Sequence, residues 1–189
     1  MKIGIGINGV VRDLLSKVRN VYEKYYTKKI EGELTYDNLI ELLEFKNYDE
    51  LVDFLYVEAP MEIFGHAKES ENNIVIELNK LQMDNPELEF TFISDDVSRG
   101  IPATHWFLAK YGSQIKNIKF YKRGDVDKLW EHFDLIFTDD KSIFNSTPKE
   151  KLVYTIGDCP SVSPEFKLKN PRDLINLEIF KKEHEEERT

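Results

Sequence analysis

The sequence predicts an α/β fold: a parallel β-sheet sandwiched by helices, with a small helical insertion. Three observations carry this prediction. Short apolar strands alternate with helical patterns along most of the 189 residues. Polar residues gather at three strand ends, Gly6-Ile7-Asn8-Gly9, Ser94-Asp95-Asp96 and Asp139-Asp140, and open parallel sheets place their ligands at such ends. Residues 28–86 interrupt the alternation with helical patterns alone.

The elements follow in order. Ile3, Ile5 and Ile7 alternate with glycines and predict a first strand. Val10, Val11, Leu14, Leu15, Val18, Val21, Tyr22 and Tyr25 then fall at helical spacing to about residue 26. Residues 27–35 are polar. Leu39, Ile40, Leu42 and Leu43 mark a short helix; Leu51, Val52, Phe54 and Leu55 mark another, with Asn47 or Asp49 as its cap. Pro60 to His66 reads as a turn and packed corner, and Ile74, Val75, Leu78 and Leu81 as a longer helix. Leu88 to Ser94 is a strand. Pro102 suits the start of a helix that Gly112 ends. Ile115 to Tyr121, Leu135 to Thr138 and Leu152 to Ile156 are further strands, with a short helix at Val126 to Phe133. A final helix is expected from Pro171 to about Glu187, ending in a charged tail. Domain bounds follow: a core of 1–27 and 87–189, and a helical cap over 28–86.

Composition narrows the function. A hydrophobic share of 41% and an aromatic share of 12% suit a globular core. The net charge is −9, with lysines scattered among more numerous carboxylates, which disfavours nucleic acid and anionic membrane as partners. A small phosphorylated ligand in a local pocket, a protein partner or a homodimer stay compatible with it. No apolar run approaches the ~20 residues of a membrane span, and the N-terminus reads as a strand rather than a signal peptide. The single cysteine, Cys159, can form no internal disulfide and has no paired histidine in sequence, so it is expected to be inert in a reducing cytoplasm. His66, His105, His132 and His184 show no metal-ligand spacing.

The opening can be read in two ways. Gly4-Ile5-Gly6-Ile7-Asn8-Gly9 satisfies G-x-G-x-x-G, and Gly6-Ile7-Asn8-Gly9 resembles the start of glyceraldehyde-phosphate dehydrogenases. The context opposes it. Gly4 and Gly6 lie within the strand, and the residues before Asp37 make a poor buried strand.

The second reading uses nearly the whole chain. Gly6-Ile7-Asn8-Gly9-Val10-Val11-Arg12-Asp13 stands in the frame of D-x-D-G-T-x-x-D, Ser94 closes a core strand, Lys122 follows the next one (Lys110 is the alternate), and Asp139-Asp140 follows an apolar strand. In these four elements and the helical cap, the chain resembles the haloacid-dehalogenase-like (HAD) superfamily, with its Rossmann-like core. The cap and the acidic pair look most like the 5'-(3')-deoxyribonucleotidase branch. The opening and Met61 to Ala67 are similar to HAD-like proteins of tailed bacteriophages, whose location would be the host cytoplasm or the virion.

The resemblance implies phosphoaspartate chemistry, from which this sequence departs. Gly6 stands at the nucleophile position and Asn8 at the acid/base position, so no intact catalytic residue is expected. Mg2+ would be left with Asn8, Asp139 and Asp140, a weak set of anionic ligands. Gly9 with the following helix N-terminus, Ser94 and Lys122 could still hold a phosphate. The expectation is a catalytically degenerate HAD-like protein that binds a phosphorylated ligand or a protein partner. The alternatives are an active Mg-dependent phosphatase of the nucleotidase type and a structural or assembly subunit. Asp95 and Asp96 are expected to cap the following helix or face solvent, and Asp13 to sit in a first helical turn.

Overall fold

The computed structural model describes residues 1–156 and 163–180. Strands β1 (Lys2–Gly6) and β2 (Arg12–Asp13) precede helices α1 (Leu14–Tyr26), α2 (Leu39–Leu42) and α3 (Tyr48–Asp53). Strand β3 (Lys68–Glu69), helix α4 (Ile74–Asp84), strand β4 (Glu89–Ser94), helix α5 (Gly100–Lys110) and strand β5 (Ile118–Phe120) follow. The chain continues with β6 (Leu135–Thr138), α6 (Lys141–Asn145), β7 (Leu152–Ile156) and β8 (Lys167–Leu168). Six strands form one parallel sheet in the order β5-β4-β1-β6-β7-β8, which is the predicted α/β architecture. No helix among the described residues is long and apolar enough to cross a membrane.

The alternation in β1 explains its central place. Ile3, Ile5 and Ile7 are fully buried in one cluster with Ile74, Leu78, Phe107 and Phe180. Gly4 turns to the opposite layer, where an added Cβ would lie 3.3 Å from both Phe133 and Ile136. Its glycine is thus a packing device that lets aromatic and aliphatic side chains close on the strand. The G-x-G of the opening belongs to sheet packing, as the strand context indicated.

The first helix starts later than its periodicity suggests. Val10 and Val11 belong to a buried turn in which the Val11 and Arg12 amides both donate to the Ile7 carbonyl, at 3.0 and 2.7 Å. Arg12 and Asp13 then pair antiparallel with Glu69 and Lys68, the one strand pair inside a region expected to be helical. Asp13 caps α1 by accepting from the Ser16 amide at 3.3 Å. The helix therefore begins at Leu14, five residues beyond Gly9, and its N-terminus is not part of that turn.

Packing groups α1 with the insertion rather than with the sheet. Leu14, Val18, Val21 and Tyr22 share a cluster with Leu39, Leu51, Phe54 and Phe64, while α4 buries its apolar face in the sheet cluster. Each fully buried side chain of this kind contributes about 1.5–3 kcal/mol over its exposed state. Asn47 caps α3 through the Glu50 amide at 3.0 Å. Beyond it lie two wide turns closed by Ala59 to Phe54 and His66 to Met61 amide–carbonyl bonds of 3.2 and 2.9 Å, the packed corner around Pro60.

Two expected helices take other forms. Arg123–Leu129 is a 3-10 segment kinked at Asp125. Pro171–Asn176 and Glu178–Phe180 are separate 3-10 turns, because Leu177 between them is extended (φ −62°, ψ 142°). The charged tail, Cys159 and His184 lie outside the described residues.

Candidate functional site at the carboxyl end of the sheet

Parallel register brings Gly6, Ser94 and Thr138 to one edge of the sheet, since Gly6 faces Ile93 and Ile5 faces Phe137. The three polar strand ends picked out in the sequence meet there. A pocket of about 560 Å³ opens over them, lined among others by Gly6, Asn8, Ser94, Asp95, Asp139 and Asp140. Tyr36 and Asp37 from the insertion close its far wall, and the exposed ion pair of Asp37 with Lys141, at 2.9 Å, spans from insertion to core.

Beneath the pocket lies a buried polar network that the sequence did not announce. Arg12 is wholly enclosed. Its guanidinium donates to Asn8 Oδ1 from Nε at 3.0 Å and from Nη2 at 2.5 Å. It also donates to Asp96 Oδ2 at 2.6 Å, to Thr104 Oγ1 at 2.8 Å and to the Phe64 carbonyl at 3.1 Å. The planar cation lies near the rings of Phe64 and Phe107, at 5.0 and 5.4 Å from their centroids. The Thr104 hydroxyl in turn donates to Asp96 Oδ2 at 2.5 Å. Asp96 is thus neither a helix cap nor a solvent-facing residue. Burial alone would raise its pKa; the Arg12 charge and the hydrogen bonds from Thr104, Arg12 and Asn8 outweigh it and hold the carboxyl below its usual value.

This network fixes what Asn8 can do. A guanidinium only donates and a carboxylate only accepts, so the Asn8 carbonyl must face Arg12. Its amide nitrogen donates to Asp95 Oδ1 at 2.9 Å and to Asp96 Oδ1 at 3.2 Å. Both amide protons and both lone pairs are engaged.

Position 6 is tight for a side chain. A Cβ added there would stand 3.1 Å from the Phe137 carbonyl oxygen and 3.4 Å from Val10 Cγ2. Gly9 has φ +75°, and its Cα lies so close to Asp139 that an added Cβ would come within 1.7 Å of Oδ2.

The acidic pair divides its work. Asp140 caps α6, accepting from the Ser142 amide at 2.8 Å and hydroxyl at 2.6 Å, and its other oxygen accepts from Tyr121 at 3.0 Å. Asp139 points into the pocket. Burial, followed by the charges of Asp95 and Asp140, pushes its carboxyl up to about 7. Burial also pushes the Tyr36 phenol well above its usual value, with Asp139 and Asp95 adding to the effect.

The remaining predicted residues separate. Ser94 is buried at the pocket floor, where its hydroxyl accepts from the Asp96 amide at 3.2 Å. Lys122 is exposed and lines a groove that adjoins this pocket, shared with Asn8, Tyr36, Asp37 and Asp95, and it also borders a cavity beside β5. The alternate, Lys110, donates to the Ala67 carbonyl at 3.3 Å and sits over the Tyr111 ring. The donor set for a magnesium ion is sparse, as expected for Asn8, Asp139 and Asp140. Gly6 offers no carboxylate, Asn8 Oδ1 is taken by Arg12 so that only its backbone carbonyl is left, and Asp140 already accepts from Ser142 and Tyr121, which leaves Asp139 as the main anionic donor. Among the described residues, no three His, Cys, Asp or Glu side chains are grouped to hold a metal.

No protein-family model matches the sequence, and no curated protein is similar to it. Solved structures are. A HAD-superfamily hydrolase of subfamily IA from Geobacter sulfurreducens superposes with a TM-score of 0.55 at 10% identity, covering 93% of this chain and 97% of that one. A haloacid dehalogenase-like protein of Burkholderia xenovorans gives 0.52 at 10% identity over 94% and 96% of the two chains. The Bacillus subtilis HAD-hydrolase YfnB, solved with magnesium bound, gives 0.52 at 11% over 93% and 98%. Sheet order, the helical insertion and these superpositions agree: the chain has the fold of the haloacid-dehalogenase-like hydrolases.

Proposed function

We propose that this chain is a non-hydrolytic HAD-like protein, one that binds a ligand or partner and forms no phosphoaspartate. The observation that carries the reading is the state of the Asn8 amide. It is saturated by Arg12, Asp95 and Asp96 and cannot exchange a proton, while the position two residues earlier has no side chain. Nucleophile and acid act as a unit in such chemistry, so losing both removes more than either loss alone. Among the described residues, the one lysine that lines the pocket, Lys141, is paired with Asp37, so it is not held over Asp139 to stabilise a transferring phosphoryl group.

The ligand reading from sequence, a phosphate held by Gly9, Ser94 and Lys122, retains Ser94 as its most favourable element. The sequence likeness to deoxyribonucleotidases directs the choice of substrates for the test. Purified protein with magnesium is incubated with p-nitrophenyl phosphate and with deoxynucleoside monophosphates, and phosphate release is followed. No turnover above the protein-free rate is expected. Magnesium-dependent turnover that disappears in Asp139→Ala overturns the proposal.

One observation favours a second reading, an active phosphatase with a rearranged site. A carboxyl near 7, as at Asp139, suits general acid–base work at neutral pH. The same assay decides between the two.

A further inference from the structure

Asn8-Gly9 is the one Asn-Gly pair in the chain, and this dipeptide has a reaction of its own. The Gly9 amide nitrogen can attack the Asn8 side-chain carbonyl carbon, since the glycine has no Cβ to obstruct the approach. The new C–N bond closes a five-membered succinimide, and the side-chain nitrogen leaves as ammonia. Water then opens the ring at either carbonyl and leaves aspartate or isoaspartate at position 8. The reaction needs no enzyme, cofactor or oxidant.

The folded chain engages every group that this reaction must move. The attacking Gly9 nitrogen donates its proton to the Arg12 carbonyl at 3.0 Å. The carbonyl under attack accepts from Arg12 Nε at 3.0 Å and Nη2 at 2.5 Å. The leaving nitrogen donates to Asp95 at 2.9 Å and to Asp96 at 3.2 Å. Arg12 is itself fixed by Asp96, Thr104 and the Phe64 carbonyl. Two effects compete. The guanidinium donors polarise the Asn8 carbonyl and would stabilise the oxyanion of the attack. The same bonds, however, hold the carboxamide where it is, and all four of its hydrogen bonds are to charged groups. Such bonds are about twice as strong as neutral ones. Ring closure has to turn the carboxamide and release the Gly9 N–H together, so the fixing effect wins.

We propose that Asn8 is a latent self-modification site. The network of Arg12, Asp95 and Asp96 keeps it intact in the folded protein, and deamidation proceeds only when the turn at Asn8-Gly9 opens. The conversion is one-way. An ionised aspartate only accepts, so it cannot restore the donations to Asp95 and Asp96, and the network does not re-form around the product. Ageing thus places a carboxylate at position 8 while Gly6 still offers none. The inference does not depend on whether the pocket is catalytically silent.

The test incubates the full-length protein in neutral buffer, in parallel with a synthetic peptide of residues 3–12. Trypsin releases the same peptide from the protein, and mass spectrometry follows its deamidation, with isoaspartate and aspartate separated by retention time. The folded protein should deamidate more slowly than the free peptide by about tenfold or more, because its rate scales with the population of the opened turn. In urea it should reach the peptide rate. Asp95→Ala removes one acceptor of the Asn8 amide and leaves Arg12 in place, so it should raise the folded rate by about threefold or more. Hydrogen exchange of the Gly9 amide in the wild-type protein is the second readout, which stands even where the variant does not fold, and it should be slowed by a similar factor. Slowing of less than tenfold, a folded Asp95→Ala protein with the wild-type rate, or an unprotected Gly9 amide would each overturn the proposal.

Discussion

Arg12 and Asp96, 84 residues apart, form an ion pair of 2.6 Å in which neither side chain has any solvent exposure. The pair ties four parts of the molecule together: the turn after β1 through Asn8, the insertion through the Phe64 carbonyl, α5 through Thr104, and the end of β4 through Asp96 itself. Removing one member strands the other as a buried, unpaired charge. Arg12→Met is therefore expected to cost about 3–5 kcal/mol of folding stability. Replacing both, as Arg12→Met with Asp96→Leu, should cost less than the sum of the single changes. Urea denaturation of the three variants measures both effects.

Asn8 is the neutral group that links Arg12 to Asp95 and gives Asp96 a second donor. An aspartate there would keep the Arg12 contacts but lose both donations to Asp95 and Asp96, and add a like charge beside them. Asn8→Asp is expected to lower stability by about 1–3 kcal/mol. The Gly6→Asp, Asn8→Asp protein, which restores both acids of the family motif, is expected to be less stable again, because the new Cβ at position 6 crowds the Phe137 carbonyl at 3.1 Å. It should release no p-nitrophenol from p-nitrophenyl phosphate in magnesium. A gain of turnover would show that the site accepts both acids.

Asp139 gives the protein a distinctive pH response. Its folded pKa, about 7, lies above the unfolded value of about 3.9. Between these values the folded protein holds a proton that the unfolded chain has released, so stability falls as pH rises from 4 to 7 and then levels off. The slope from this group reaches about 1.4 kcal/mol per pH unit at most. Asp96 acts with the opposite sign, since its lowered pKa stabilises above pH 4 and is lost on acidification. In Asp139→Asn the decline between pH 4 and 7 should flatten, measured by urea midpoints in a chelating buffer. An unchanged profile would mean that Asp139 is not the titrating group.

The parts of this molecule governed by local pattern were legible in the sequence. Ile3, Ile5 and Ile7 announced β1, Asn47 announced the cap of α3, and the apolar runs ending in Ser94 and Asp139-Asp140 announced the strands whose ends meet at the pocket. Arg12 was illegible because its significance is entirely non-local: between Val11 and Leu14 it looks like the exposed face of a helix, and its partner is far along the chain. Asp96 was misread for the same reason. Val10 and Val11 extended the apparent helix because a turn buried under the sheet needs apolar residues as much as a helix face does. Lys122 was picked by its order in the chain, and it lies on the groove that Asn8 and Asp95 share with the insertion.

Gly9 is the position where backbone geometry and site geometry make the same demand. Its φ of +75° disfavours any other L-residue, at about 1–3 kcal/mol. An alanine Cβ there would also fall 1.7 Å from Asp139 Oδ2, so the carboxylate must swing away. The two effects are separable. Gly9→Ala in the wild-type background should lose stability from both. In Asp139→Gly the clash vanishes and only the backbone cost remains, so Gly9→Ala should be less harmful there. Denaturant midpoints for the four proteins of this cycle give the coupling directly, and a coupling near zero would mean that Asp139 relaxes away from Gly9 without cost.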